Sequence, residues 1–146
     1  MVEAITHSVE ETVAFGQQLS ARAQPGTIFA LDGDLGAGKT QLARGIAQGV
    51  GYEGRVQSPS YGLINIYEGG RLTVFHLDLY RLEEPDEIIG AGLEEYLTEP
   101  AGIVALEWAN RWFDRPGVSA IAQLYRVRLE TLSETERRIR HEPART

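Results

Sequence analysis

Apolar residues follow an order along the chain that predicts alternating strands and helices. The run "TIFALDG" (27–33) is almost continuously apolar and partly β-branched, which is typical of a buried strand. In "KTQLARGIAQGVG" (39–51) apolar residues recur at intervals of four, so a helix ending near Gly51 is predicted. The run "GIVALEW" (102–108) predicts a second buried strand. This order favours an α/β fold, with a mostly parallel sheet flanked by helices.

The remaining segments predict two more helices and two added antiparallel hairpins. Ser8 and Glu11 have capping-box spacing at the start of a helix predicted over residues 8–23. Pro85 and the acids beside it suit the first turn of a helix predicted over 84–97. Turn residues and strand-like runs predict a hairpin over 63–82, a closing hairpin over 124–141 and a surface loop at 53–62.

Length and composition indicate a single domain covering residues 1–146. A chain of 146 residues ordinarily builds one hydrophobic core, and we find no internal repeat or domain boundary. No apolar run approaches the ~20 residues that a membrane helix needs. The N-terminal residues also lack the order of a signal peptide, so we expect a cytoplasmic protein without membrane contact. Disulfides and thiolate metal sites are excluded because the chain has no cysteine.

The charge distribution limits the possible partners. A formal net charge of −7 repels polyanions, which argues against a chain that binds RNA unaided, although a protein partner could make that contact. The basic residues are 13 arginines and a single lysine, Lys39. That lysine lies in the stretch "LDGDLGAGKTQL" (31–42), which also holds three glycines.

Gly33, Gly38, Lys39 and Thr40 match the P-loop pattern G-x-x-x-x-G-K-[ST]. Glycines allow successive backbone N–H groups to turn toward phosphate oxygens, and the helix that follows presents its positive end. Lys39 would then neutralise the β and γ phosphates, and the Thr40 hydroxyl would bind Mg²⁺. The alternative is a glycine-rich turn that only caps a helix. The predicted strand before the motif and the predicted helix after it favour phosphate binding and a P-loop NTPase-like fold.

A P-loop protein also needs an acid at the end of a neighbouring strand, close to the metal ion. Glu107 ends an apolar strand and is the favoured metal ligand, whereas Asp78 is predicted to act near the γ-phosphate or the attacking water. Either carboxylate could instead cap a loop or pair with an arginine. His76 is equally compatible with a general base and with a hydrogen-bonded packing residue.

Three further features carry open alternatives. Trp108 could stack on a ligand or partner, although a half-buried core residue is the commoner role. The basic residues Arg137, Arg138 and Arg140 could meet phosphate or a protein acid, although a solvated strand face is the default. The segment 58–61, which includes Ser60, could be an ordinary turn or a loop that senses the γ-phosphate.

Taken together and in this order, "GDLGAGKT", "VQSPSYGLINIY", "FHLDLYRL" and "ALEW" resemble the bacterial TsaE family, once called YjeE. The resemblance runs from the N-terminal helix through Trp108. Two positions depart from the usual family pattern. Ser60 stands where most members have threonine, and Gln41 stands where a second threonine is common.

The resemblance implies a role for each matching residue. Lys39, Asp78 and Glu107 would be catalytic, and Thr40 and Glu107 would bind Mg²⁺. Ser60 and Trp108 would belong to a switch or partner surface. The residues that would hold ATP or ADP are Gly36, Ala37, Gly38, Lys39, Thr40 and Gln41.

The resemblance also implies a weak, partner-dependent Mg-ATPase required for threonylcarbamoyladenosine synthesis on tRNA. Its ATP cycle would reset a complex of the TsaB and TsaD proteins between turnovers. The negative charge fits an accessory that docks on protein and contacts tRNA only indirectly. The alternatives are a small-metabolite kinase and an assembly factor that is gated by nucleotide without needing hydrolysis. A GTPase is disfavoured, because Lys39 is the only lysine and the base-reading motif N-K-x-D is therefore absent.

Overall fold

A computed structural model describes residues 2–34, 36–59, 63–114 and 123–143. These residues form seven strands and five helices, and β2, α2 and β5 lie where the apolar pattern predicts them. The strands are β1 Val2–Thr6, β2 Ile28–Gly33, β3 Ile64–Tyr67, β4 Val74–Asp78, β5 Ile103–Glu107, β6 Leu124–Thr131 and β7 Arg137–Pro143. The helices are α1 Val9–Ser20, α2 Lys39–Gly49, α3 Pro85–Gly90, α4 Glu94–Thr98 and α5 Asn110–Phe113.

All of these strands form one mixed sheet in the order β1-β7-β6-β2-β5-β4-β3. The four central strands, β6, β2, β5 and β4, run parallel to one another. The outer pairs β1 with β7, β7 with β6, and β3 with β4 are antiparallel. The predicted α/β class is confirmed, and both predicted hairpins supply antiparallel strands.

Helices cover both faces of the sheet and produce two cores. On one face, Phe29 and Leu31 of β2 pack with α2 residues such as Leu42. The alternate β2 residues Ile28 and Ala30 belong to the other core, whose helical residues include Ile88, Leu97 and Trp112. Both faces of β2 are therefore buried, which explains its continuously apolar sequence.

The backbones of helices α1 and α2 approach each other very closely at two glycines. A Cβ atom added to Gly45 would collide with the carbonyl oxygen of Val13, and one added to Gly16 would lie 2.6 Å from the carbonyl oxygen of Leu42. Close backbone approach therefore fixes how α1 lies against the helix that begins at the P-loop. The predicted capping also forms: the Ser8 hydroxyl accepts a hydrogen bond from the Glu11 N–H at 3.1 Å.

Three elements differ from the sequence prediction. Strand β1 was not predicted, because five residues give little pattern and its partner β7 lies at the far end of the chain. The single helix predicted over 84–97 is wrong: α3 and α4 are separate because Gly92, with φ +79°, reverses the backbone between them. The short helix α5 was also missed, and at four residues it shows no helical period.

In the part of the chain that the structure describes, helices are too short or too polar to cross a bilayer.

Candidate nucleotide-binding site

The loop between β2 and α2 has the backbone of a phosphate cradle. Gly36 and Gly38 have φ values of +82° and +98°, in the left-handed region that side-chain-bearing residues rarely adopt. Gly38 is also the N-cap of α2 and has no side chain to cap the helix. The first-turn N–H groups of α2 can therefore donate to an external anion, at the end of the helix where its dipole is positive.

Arg137 holds this loop from the closing hairpin. Its Nε donates to the carbonyl oxygen of Ala37 at 3.1 Å, and Nη2 donates to that of Gly36 at 3.4 Å. Through Nη1 it also donates to the carbonyls of Ser133 and Glu136 in the hairpin turn, at 2.7 and 2.9 Å. Arg137 is thus bound to the P-loop, contrary to the solvated face expected by default. Sequence reasoning had no signal for this contact, because 100 residues separate Arg137 from Ala37.

A cleft of about 1100 Å³ brings the predicted site residues together. It is lined by these predicted residues: Gly36, Gly38, Lys39, Thr40, Gln41, Asp78, Glu107 and Trp108. Ala37 differs from them, because its side chain is buried and its N–H donates within the loop to the carbonyl of Asp34 at 2.9 Å. Ser60 lies outside the described residues, and Ser58, two positions earlier, lines the cleft.

The sheet places the two acids side by side. In the parallel pairing of β4 with β5, Asp78 stands opposite Glu107. In the pairing of β5 with β2, Glu107 stands opposite Leu31, two residues before Gly33 at the end of β2. The carboxyl ends of three neighbouring parallel strands therefore present Asp78, Glu107 and the P-loop along one edge, the usual ligand position in such sheets.

Asp78 is held and tuned by its surroundings. Its Oδ1 accepts a hydrogen bond from the Tyr80 N–H at 2.9 Å. Burial raises the pKa of Asp78 above its ordinary value of 3.8, and the negative charge of Glu107 adds to this effect. Lys39 is close enough to oppose the increase. A carboxylate with a raised pKa is a stronger base than an exposed aspartate.

Glu107 is buried and bound to a buried histidine. Only 5% of Glu107 is exposed, and its Oε2 lies 2.8 Å from Nε2 of the fully buried His76. The other ring nitrogen of His76 lies 3.0 Å from the Tyr67 hydroxyl. Of the two interpretations of His76, the structure shows the hydrogen-bonded interior residue.

Trp108 lies at the mouth of the cleft, so the half-buried core role is wrong for this residue. Its side chain is 37% exposed, and its φ of +60° is unusual for a residue other than glycine. The ring lies 4.9 Å from that of Tyr80 between centroids. The guanidinium carbon of Arg111 lies 5.3 Å from the centroid of the same Trp108 ring.

Arg138 and Arg140 lie on the strand face and meet protein acids there. Arg138 pairs with Glu130 at 3.4 Å, and Arg140 pairs with Glu3 at 2.9 Å. Both therefore contribute to a ladder of ion pairs across β1, β7 and β6.

The donor set of the cleft fits a magnesium ion. Thr40 offers a hydroxyl and Glu107 a carboxylate in the same cleft, and hard oxygen ligands are those that Mg²⁺ prefers. Few protein ligands are needed, because Mg²⁺ at such sites keeps waters and binds phosphate oxygens. Lys39 adds the positive charge that a triphosphate requires.

The fold and the cleft together define a P-loop nucleotide-binding protein. A sequence model of the family described as "Threonylcarbamoyl adenosine biosynthesis protein TsaE" matches residues 6–139. The chain therefore belongs to the TsaE family, a family of tRNA threonylcarbamoyladenosine biosynthesis.

Individual relatives agree with this assignment. A protein of Nostoc sp. is 42% identical over 110 residues, covering 73% of this chain and 67% of the relative. One of Bacillus subtilis is 41% identical over 105 residues, covering 72% and 65%. Both carry the name "tRNA threonylcarbamoyladenosine biosynthesis protein TsaE", and the chain matches about two thirds of their length. The crystal structure of YdiB from Bacillus subtilis superposes with a TM-score of 0.74 at 30% identity, covering 94% of this chain and 82% of YdiB.

Proposed function

We propose that this protein binds and hydrolyses ATP with Mg²⁺ and thereby supports tRNA threonylcarbamoyladenosine modification. In this proposal it is a weak ATPase on its own, and its cycle resets a complex of the TsaB and TsaD proteins between turnovers. The observation that carries the ATPase part is the alignment of Asp78 and Glu107 beside the P-loop, at the ends of adjacent parallel strands.

Each residue has a distinct task in the proposed reaction. Lys39 and the amides at the start of α2 bind the phosphates and offset their charge. Thr40 and Glu107 would hold Mg²⁺, which would supply electrostatic stabilisation of the phosphate charge. Asp78 orients the attacking water and accepts its proton, a task that its raised pKa favours.

The partner part of the proposal depends on the family and on charge. The matching relatives are named for threonylcarbamoyladenosine biosynthesis on tRNA. With a net charge of −7, this chain is repelled by tRNA and suits docking on protein. The exposed Trp108 and Tyr80 at the mouth of the cleft offer aromatic surface for such a contact.

Multiple-turnover threonylcarbamoylation of tRNA tests the proposal. TsaB, TsaD, tRNA and the carbamoyl donor are combined with wild type or with Glu107→Gln, which keeps the side-chain volume and removes the charge. Glu95→Gln is the matched control, because Glu95 lies exposed on α4. We expect wild type and Glu95→Gln to give modification well in excess of the TsaB–TsaD present, and Glu107→Gln to stop near one equivalent.

The same reactions separate the alternatives. If Glu107→Gln binds ATP, fails to cleave it and still sustains repeated turnover, hydrolysis is not the function and the protein acts as a nucleotide-gated assembly factor. If labelled γ-phosphate is transferred to a small acceptor instead of to water, the protein is a kinase.

A further inference from the structure

A chain of buried polar groups leads from Glu107 to the loop before β3. His76 is fully buried and Tyr67 is 4% exposed. The successive distances are 2.8 Å from Glu107 Oε2 to His76 Nε2 and 3.0 Å from His76 Nδ1 to the Tyr67 hydroxyl. The same hydroxyl lies 3.0 Å from the carbonyl oxygen of Gln57. Ser58, the next residue, lines the nucleotide cleft, so both ends of the chain reach it.

The hydrogen-bonding capacity of these groups gives the chain a direction. An ionised carboxylate can only accept hydrogen bonds, so the N–H group at His76 Nε2 is the donor to Glu107. The Tyr67 hydroxyl donates to the Gln57 carbonyl oxygen and also lies within hydrogen-bond distance of His76 Nδ1. The Asn65 side-chain amide also donates to that carbonyl at 2.9 Å. Each polar group of this chain therefore has a hydrogen-bond partner inside the protein.

His76 places a polar side chain in the interior of the sheet. His76 and Tyr67 lie on the neighbouring strands β4 and β3, and β4 pairs with the apolar strand β5. A buried imidazole is costly unless its nitrogens are paired, and here both are. Packing alone would be served by an apolar residue at position 76, so the pairing with Glu107 needs its own explanation.

We propose that His76 is a positioning residue that holds Glu107 in the orientation needed to bind Mg²⁺. The bond to His76 occupies Oε2 and restricts rotation of the carboxylate, so the second oxygen is the one presented to a cation. Partners that orient a metal ligand typically change metal affinity by roughly 10–100-fold when they are lost. Tyr67 extends the support to the loop that ends at Ser58. The inference rests on the proposed use of Glu107 as a metal ligand.

Two substitutions at position 76 separate orientation of Glu107 from packing. His76→Gln retains an N–H donor at the place of Nε2 and can still reach Glu107. His76→Asn retains a polar group only at the place of Nδ1, toward Tyr67, and leaves Glu107 without its donor. Both replace a ring by a smaller amide, so loss of packing affects both in the same direction.

The measurement is ATP affinity by calorimetry, with EDTA and then with Mg²⁺, in variants whose folding is checked by thermal unfolding. We expect wild type, His76→Gln and His76→Asn to bind ATP about equally in EDTA. In His76→Asn the gain in affinity on adding Mg²⁺ should fall about tenfold or more, whereas His76→Gln should keep most of it. Tyr67→Phe, which leaves the bond between His76 and Glu107 in place, should lose less than His76→Asn.

The same measurements distinguish the positioning role of His76 from the proposed ATPase function. If Gln and Asn at position 76 retain the wild-type gain, or lose it equally, His76 does not position Glu107. If wild type shows no Mg²⁺-dependent hydrolysis with its partners and the two variants still differ in their Mg²⁺ gain, the ATPase proposal fails and the positioning role stands.

Discussion

The ammonium group of Lys39 lies over the indole ring of Trp108, with Nζ 5.6 Å from the ring centroid. One residue begins the P-loop helix and the other follows the metal-ligand candidate Glu107. The proposed function requires Lys39 to reach the β and γ phosphates. The aromatic ring is therefore a second partner for the same cation, and nucleotide competes with it.

This competition predicts a change in Trp108 fluorescence when ATP binds. In a Trp112→Phe background, where Trp108 is the remaining tryptophan, its emission should change along a saturable curve as ATP is added. Lys39→Ala should abolish that change and weaken ATP binding about tenfold or more, since it removes a charged hydrogen-bond donor. An unchanged emission at saturating ATP, verified by calorimetry, would show that Lys39 and Trp108 stay together.

The Asp78 carboxylate should cost stability at neutral pH. Its pKa is raised in the folded protein, chiefly by burial. Its contribution to stability is therefore fully present below the ordinary pKa of 3.8 and is lost as the pH rises through the raised pKa. Asp78→Asn should accordingly raise the melting temperature at pH 7 and have little effect near pH 3. The same variant should hydrolyse ATP about 10²–10⁴-fold more slowly, because the amide is not a base. Melting curves at both pH values check the first part; a neutral-pH melting temperature below that of wild type contradicts it.

Arg137 should matter for nucleotide binding through its hold on the P-loop. Arg137→Lys keeps the charge but loses the planar group that reaches the carbonyls of Ala37 and Gly36 together, so ATP affinity should fall about tenfold. The control is Arg138→Lys, which changes the adjacent arginine that pairs with Glu130. Calorimetry on both variants makes the comparison. Equal affinities would mean that the P-loop keeps its shape without this contact.

The crossing of α1 and α2 predicts sharply different effects of two glycine substitutions. Gly45→Ala places a methyl group against the Val13 carbonyl and should destabilise the protein by about 1–3 kcal/mol, as overpacking does. Gly90→Ala, in α3, puts a methyl group where no heavy atom lies within 4 Å and should be neutral or slightly stabilising. Urea unfolding measures both, and equal stability of the two variants would show that the helices can separate without cost.

Much of the site was predictable because its signals are local. The P-loop requires glycine at backbone positions with positive φ, and Gly36 and Gly38 occupy such positions. Glu107 could be singled out because parallel strands covered on both faces are continuously apolar, so an acid at the end of one stands out. Each of these patterns is contained within a few consecutive residues of the sequence.

Other features depended on pairings between distant segments. His76, Asp78 and Tyr80 occupy alternate positions in the sequence, which places them on one face of a strand but does not show which of them is buried. The register of β4 with β5 decided this by setting Asp78 opposite Glu107, while Nε2 of His76 came within 2.8 Å of the Glu107 carboxylate. Trp108 was similarly undecided until its positive φ and its place beside Lys39 put it at the mouth of the cleft.

The sequence by itself determined the buried strands, the helix that follows the P-loop, the phosphate loop and the acids at the ends of the strands, since these follow from backbone conformation and hydrophobic period. Only the tertiary structure decided that Arg137 holds the P-loop and that β1 completes the sheet. The physical reason is the same in both cases. A hydrogen bond between residues a hundred or more positions apart depends on how the whole chain packs, and neither partner carries a local pattern that reveals it.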